Sequence, residues 1–236
     1  MQHRTGKIIL LCCILALCLT GCAAGKSTVQ YEQLLKGDQR VSLLNDGLMG
    51  ALEFDFQDDI QGIVFYREIW QNGQCIEAVP QLYAGPAEKI ASLYISIGME
   101  DTACRWDLVE NGSDGDTSSI MQPLIQTELP DGGSGSYGYK AVFIGDNAKN
   151  HTARLNAGES YTLAAQIFDL NVNITKENGD YFVQNDFGNL EADNLDFQNY
   201  DYAIVLRMDT FATAEEVEQE AETREQENRA KIGARL

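Results

Sequence analysis

The sequence predicts an all-β fold: an antiparallel β-sandwich of about seven to ten strands, with a short N-terminal helix and a charged C-terminal helix. Three observations carry this expectation. Between Ala51 and Met208 apolar residues recur mostly at every second position, the spacing of strands with one buried face. Asn72-Gly73 and Asn178-Gly179 each separate two such runs, and Asn-Gly suits the positive φ of a two-residue hairpin turn. No long amphipathic helix interrupts the region, which argues against βαβ units and nucleotide-binding parallel sheets.

From the N-terminus, Arg4 and Lys7 give the chain a positive start, and Ile8–Leu19 is an unbroken apolar run of 12 residues. A membrane-spanning helix needs about 20 apolar residues, so the run fits a secretory signal instead. It ends in Leu19-Thr20-Gly21-Cys22, which resembles the lipobox of bacterial lipoprotein precursors. The resemblance implies cleavage before Cys22 and a thioether-linked diacylglycerol on it. The mature chain is then held by lipid on the extracytoplasmic face of the cell membrane. Residues 1–21 are the signal peptide on this reading, 22–26 a lipidated tether, 27–212 the β domain and 213–236 the tail. One acyl chain anchors only marginally, at about 0.8 kcal/mol per buried CH₂, whereas two or more anchor stably.

Ser27-Thr28-Val29-Gln30 has the spacing of a capping box, with Tyr31, Leu34 and Leu35 on one helical face and Gly37 as a stop. This predicts the short N-terminal helix. Ile63–Trp70 is rich in β-branched and aromatic residues and returns through Asn72-Gly73 into Cys75–Val79. Further strands are expected at Lys89–Ile97, Ala103–Val109, Tyr139–Ile144, Tyr161–Phe168 and Tyr202–Met208, with Val172–Thr175 and Tyr181–Val183 flanking the second Asn-Gly. Two Gly- and Ser-rich stretches, 110–119 and 130–138, read as loops. The Cys…Trp…Cys order of an immunoglobulin core is absent, since Trp106 follows Cys104, and the topology stays open. Thr213-Ala214-Glu215-Glu216 is a second capping box. The tail beyond it places acids first and bases last, in keeping with the helix dipole. Its apolar residues are few and small, so a solvated helix is expected.

Composition narrows the chemistry. Removing residues 1–21 takes away Arg4 and Lys7 and no acids, leaving 15 basic against 36 acidic residues, a net charge of −21. Such a domain is repelled by nucleic-acid phosphate and by anionic headgroups, so nucleic acid is not an expected partner and the lipid must do the anchoring. Cys75 and Cys104 are the cysteines left after the signal and the lipidated Cys22. An exported pair is able to form one disulfide, which contributes about 3 kcal/mol on the chain-entropy model; two buried thiols is the equal alternative. His151 is the one histidine of the mature chain, which excludes two-histidine zinc sites and facial triads, and its polar surroundings read as a solvated loop.

Asp114-Gly115-Asp116, with Asn111 and Ser113, resembles an oxygen-rich calcium loop, yet the twelfth position counted from Asn111 is Gln122 rather than a bidentate Glu. Asp114 and Asp116 are therefore candidates for a cation, against the simpler reading of an exposed acidic turn. Asp55, Asp58 and Asp59 cluster at a strand end without a metal-specific pattern. Phosphate loops, nucleophile elbows and CxxC pairs are absent from the sequence. Tyr66, Trp70, Tyr83, Tyr94, Trp106, Tyr137 and Tyr139 could form a sugar-stacking surface, although Trp70 shares its pleat face with Val64 and Tyr66 and reads more simply as packing.

No cofactor is expected. The leading functional expectation is a membrane-tethered, non-catalytic domain binding a membrane-proximal protein or envelope component. A glycan- or solute-binding lipoprotein is the alternative, and an envelope hydrolase the third. The layout of lipobox, short tether, acidic hairpin-rich domain and charged tail is similar to that of uncharacterised lipoproteins of anaerobic Gram-positive bacteria. That resemblance carries no functional residues over.

Overall fold

A computed structural model describes residues 26–35, 48–100, 103–113, 125–128, 138–146, 148–169, 173–177, 180–184, 192 and 195–233. Among them two antiparallel sheets pack face to face, the architecture of a β-sandwich. The first runs, in spatial order, Ile125–Glu128 (β7), Ala103–Gly112 (β6), Ile90–Glu100 (β5), Leu48–Asp55 (β2), Thr28–Leu34 (β1) and Thr152–Arg154 (β9). The second runs Gln74–Pro86 (β4), Gly62–Gln71 (β3), Tyr202–Phe211 (β13), Ser160–Asp169 (β10) and Gly138–Phe143 (β8). Asn173–Glu177 (β11) and Asp180–Gln184 (β12) form a hairpin of their own, and Ala214–Gly233 is a helix (α1).

The expected hairpins are present. Gln71 pairs with Gln74, so Asn72 and Gly73 are the whole turn between β3 and β4, with φ of 48° and 74°. Both values lie in the left-handed region that the sequence pair was read to supply. Glu177 pairs with Asp180 and leaves Asn178-Gly179 as the second two-residue connection.

The expected N-terminal helix is corrected: Thr28–Leu34 is strand β1, paired with both β2 and β9. Its β-branched and aromatic residues fit a pleated, half-buried surface. Val29 and Tyr31 turn into the sandwich while Gln30 and Glu32 are exposed, a period of two that the capping-box spacing had masked. Ser27 caps nothing local. Its hydroxyl accepts from Gln57 N at 2.8 Å and donates to Asp59 Oδ1 at 2.7 Å, and its carbonyl accepts from Leu155 N at 2.9 Å.

The core draws on both sheets: Leu52, Leu93 and Trp106 from the first meet Phe65, Phe168 and Ile204 from the second. Across it, buried Trp106 Nε1 donates to Gln166 Oε1 at 2.7 Å, which gives the buried indole N–H its acceptor. β13 is buried along nearly its whole length rather than at alternate positions, because its sheet is covered on the outside too. Residues 195–200 cover one part of that outer face, where Phe197 lies 5.4 Å from the ring of Trp70.

Helix α1 covers another part, which corrects the expectation of a solvated tail. Val217 is 4% exposed and packs on Val64 and Tyr66. The space it fills exists because β3 begins with Gly62, where a Cβ would come within 2.1 Å of Val217 Cγ2. Further along the helix, Arg224 lies 3.8 Å over the Tyr66 ring and is ion-paired with Asp209. Asp209 also accepts from Tyr66 Oη at 3.1 Å and from Ser160 Oγ. The capping box at the start of the helix is closed in both directions, Glu216 N to Thr213 Oγ1 at 3.3 Å and Thr213 N to Glu216 Oε2 at 3.0 Å.

Candidate functional site

Among the described residues, those singled out from sequence do not converge. Cys22, with the signal peptide, and Asp114 and Asp116 lie outside the described residues, as does Tyr137. Cys75 and Cys104 are thiols rather than the halves of a disulfide. Cys75 is exposed beside the β3–β4 turn, its Sγ 3.6 Å from the Glu77 carbonyl oxygen, whereas Cys104 is buried in the core. Burial alone pushes the Cys104 thiol up to about 12, so at neutral pH it is an unreactive apolar group. Of the aromatics, Trp106 is buried in the core and Tyr66 lies beneath α1. Trp70 packs under Phe197 and donates from Nε1 to Glu68 at 2.9 Å, on the Tyr66 face as read from sequence.

His151 sits in the connection between β8 and β9 and is exposed, at φ 52° beside Asn150 at φ 61°. Its Nδ1 is 2.9 Å from the Asp146 carbonyl oxygen. A carbonyl only accepts, so Nδ1 is the donor in this contact. The imidazole packs edge-on to Tyr31, which stacks on Phe143 at 5.0 Å. Gly50 makes room for that stack, since a Cβ there would lie 2.9 Å from the Tyr31 ring. Gln30, Glu32, Gln33, Glu53 and Asp146 complete a cleft of about 360 Å³. Burial first, and then the Asp146 charge, push the Tyr31 hydroxyl up to about 12. It is a poor proton donor at neutral pH.

A larger cleft, of about 740 Å³, opens at the end of the sandwich where Ser27 is held. The strand registers gather Thr28, Asp55, Gly62, Pro86 and Phe211 at this end. The connection 56–61 is fixed by backbone bonds, Ile60 N to Gln57 O at 3.0 Å, Gln61 N to Phe211 O at 2.9 Å and Ala87 N to Gln61 O at 3.0 Å. Phe56, Gln57, Asp58, Ile60, Gln61, Pro86, Glu88 and Ala214 line the cleft. Phe65 of the core touches Phe54 at 6.1 Å, and Phe54 stacks on Phe56 at 5.2 Å with the planes 5° apart. A column of rings thus runs from the core to the cleft wall. Gln57 is oriented from two sides, its amide N–H by Ser27 and its side-chain amide by Asp55 Oδ1 at 2.7 Å. Of the acidic trio Asp55, Asp58 and Asp59, one carboxylate is engaged by Gln57 and one by Ser27, while Asp58 lines the cleft. Among the described residues, no three His, Cys, Asp or Glu side chains are placed to hold a metal ion.

No protein-family model, curated protein or solved structure matches this chain. The chemistry of the cleft is therefore read from its residues alone.

Sequence reasoning passed over Phe56, Gln61 and Glu88. The signal that could have found Phe56 is the alternation Phe54-x-Phe56, which carries an apolar face past the end of β2 into a connection rich in Asp and Gln. The loop expected over 110–119 is corrected at its start: Glu110, Asn111 and Gly112 are the end of strand β6, because they continue its pairing with β5. Glu110 pairs with Leu93 in the first sheet and is 7% exposed, and burial raises its carboxyl above the usual range.

Proposed function

We propose that this chain is a bacterial lipoprotein, anchored through Cys22 to the extracytoplasmic face of the cell membrane, whose β-sandwich is a non-catalytic binding domain working close to the bilayer. The observation that carries this reading is the position of Ser27. It is fully buried and hydrogen-bonded at the end of the sandwich that bears the 740 Å³ cleft. Four residues separate it from Cys22, so an extended tether reaches about 15 Å. On this reading the cleft end faces the membrane and the Asn72-Gly73 turn points away. Screening limits the outward push of the domain's negative charge to about 8 Å at physiological salt. A binding role is favoured over catalysis because the groups with reactive potential lie apart: Cys75 by a hairpin turn, Cys104 in the core and His151 on a side connection.

Replacing Cys22 with Ala tests the anchor. The wild-type chain should incorporate labelled fatty acid and sediment with membranes, while Cys22→Ala should accumulate as precursor or be released. Equal membrane fractionation of both, with no label in the wild type, would overturn the proposal.

A further inference from the structure

We infer that the cleft at the Ser27 end is a binding site for a neutral oligosaccharide, with Phe56 as the stacking surface and Asp58, Gln61 and Glu88 as the groups that take its hydroxyls. This deepens the reading of the domain as a binding module. The first observation is the ring column. Phe56 lines the cleft and has one face seated flat on Phe54, which is itself held by Phe65. Phe56 is half-buried, so a ring held in this way offers part of its surface to the cleft at little ordering cost. The negative face of an aromatic ring attracts the positively polarised C–H bonds on the flat side of a pyranose. The second observation is the polar rim. Carboxylates accept from hydroxyls, and carboxamides both donate and accept, which suits vicinal diols. Asp58, Gln61 and Glu88 are exposed at the cleft.

The lining also states what does not fit. Among the described residues it contains no Lys or Arg, so phosphate, sulfate and uronate groups meet Asp58 and Glu88 there rather than a counter-charge. Its apolar surface is one ring with Ile60, Pro86 and Ala214, too little for an acyl chain. A basic peptide would be drawn by the two carboxylates but would make little use of the oriented amides.

Titration of the full-length chain in detergent with cellotriose and with triacetylchitotriose, read by calorimetry and saturation-transfer NMR, tests the inference. At least one trisaccharide should bind, with trigalacturonate at least tenfold weaker. Phe56→Leu keeps an apolar side chain at the position and removes the ring face, so it should fold and weaken binding about tenfold. Gln61→Ala, at an exposed position, should weaken it several-fold, and Tyr94→Leu on the outer face of the first sheet should leave it unchanged. Absence of binding by both trisaccharides overturns the proposal. So does binding lost in Tyr94→Leu but kept in Phe56→Leu, or a cleft that takes oligolysine and neither sugar. None of these outcomes depends on lipid at Cys22, so titration and membrane fractionation fail separately.

Discussion

Two stretches of this chain carry the same four-residue signature and fold in opposite ways. Ser27-Thr28-Val29-Gln30 and Thr213-Ala214-Glu215-Glu216 both have a hydroxyl residue with Gln or Glu three positions later. The second is a closed capping box on a helix. The first is the entry to an inner strand, with its hydroxyl used on residues 30 and 32 positions away. The residues within and just after each signature explain the difference. Thr, Val and Tyr lose side-chain freedom in a helix and pack well on a pleated surface, whereas Ala, Glu, Gln, Lys and Arg propagate a helix readily. A cap contributes about 1 kcal/mol, which is small beside the burial of Val29 and Tyr31 between two sheets. The local signal decides only where no distant partner outweighs it.

The largest test of that comparison is Tyr31→Ala. It removes the ring stacked on Phe143 and opens a cavity beside Gly50. The expected loss is about 3 kcal/mol in the urea-unfolding free energy. A loss near zero would mean that β1 contributes little and that the helix reading of this stretch should be reopened.

Next comes the tail. Arg224→Ala leaves Asp209, whose side chain is 12% exposed, without its cation and removes the contact over Tyr66. Because both groups keep some solvent, the expected cost is about 2 kcal/mol, below that of a fully buried pair. Gly62→Ala attacks the same contact from the sheet side by occupying the space of Val217. It should raise amide exchange in α1 while leaving protection in β1 untouched. A solvated tail predicts no change in either variant.

The two hydroxyls differ less in magnitude than in what they disturb. Ser27→Ala removes an acceptor for Gln57 N and a donor to Asp59, and Thr213→Ala removes a helix cap; each is expected to cost about 1 kcal/mol. Ser27→Ala should lower the global unfolding free energy with helix content unchanged. Thr213→Ala should fray only the first turn of α1, seen as faster exchange at the start of the helix. Identical exchange patterns in the two variants would erase the distinction between a long-range and a local role.

The smallest effect concerns pH. An unfolded tyrosine ionises near 10, whereas the folded Tyr31 hydroxyl is held up to about 12 by burial and then by Asp146. Deprotonation thus favours the unfolded chain, and the contribution of Tyr31 is intact below pH 10 and lost progressively as pH rises towards 12. Tyr31→Phe should flatten the decline of stability above pH 10. It will not abolish the decline, because Tyr83 and Tyr161 are also pushed up to about 12, mainly by burial. An unchanged slope would place the Tyr31 hydroxyl in water.

By itself the sequence determined the features that rest on neighbours along the chain. Asn72-Gly73 dictates its turn because positive φ is a property of those two residues, and period-two patterning gives the strands because a pleat alternates. The Thr213 capping box belongs with them, since donor and acceptor lie on one helical turn. Tertiary structure alone decided which faces are covered and which side chains meet. The pairing of β1 with β2 and β9 turned a helical signature into a strand, and Gly62 gave Val217 a seat that composition had not suggested. The Phe56 cleft belongs to the same class. Its wall comes from the β2–β3 connection, the β4–β5 turn and the start of α1, brought together only by sheet register. A pattern in sequence records that a residue needs cover. The element that supplies the cover is set by long-range packing, which no spacing along the chain encodes.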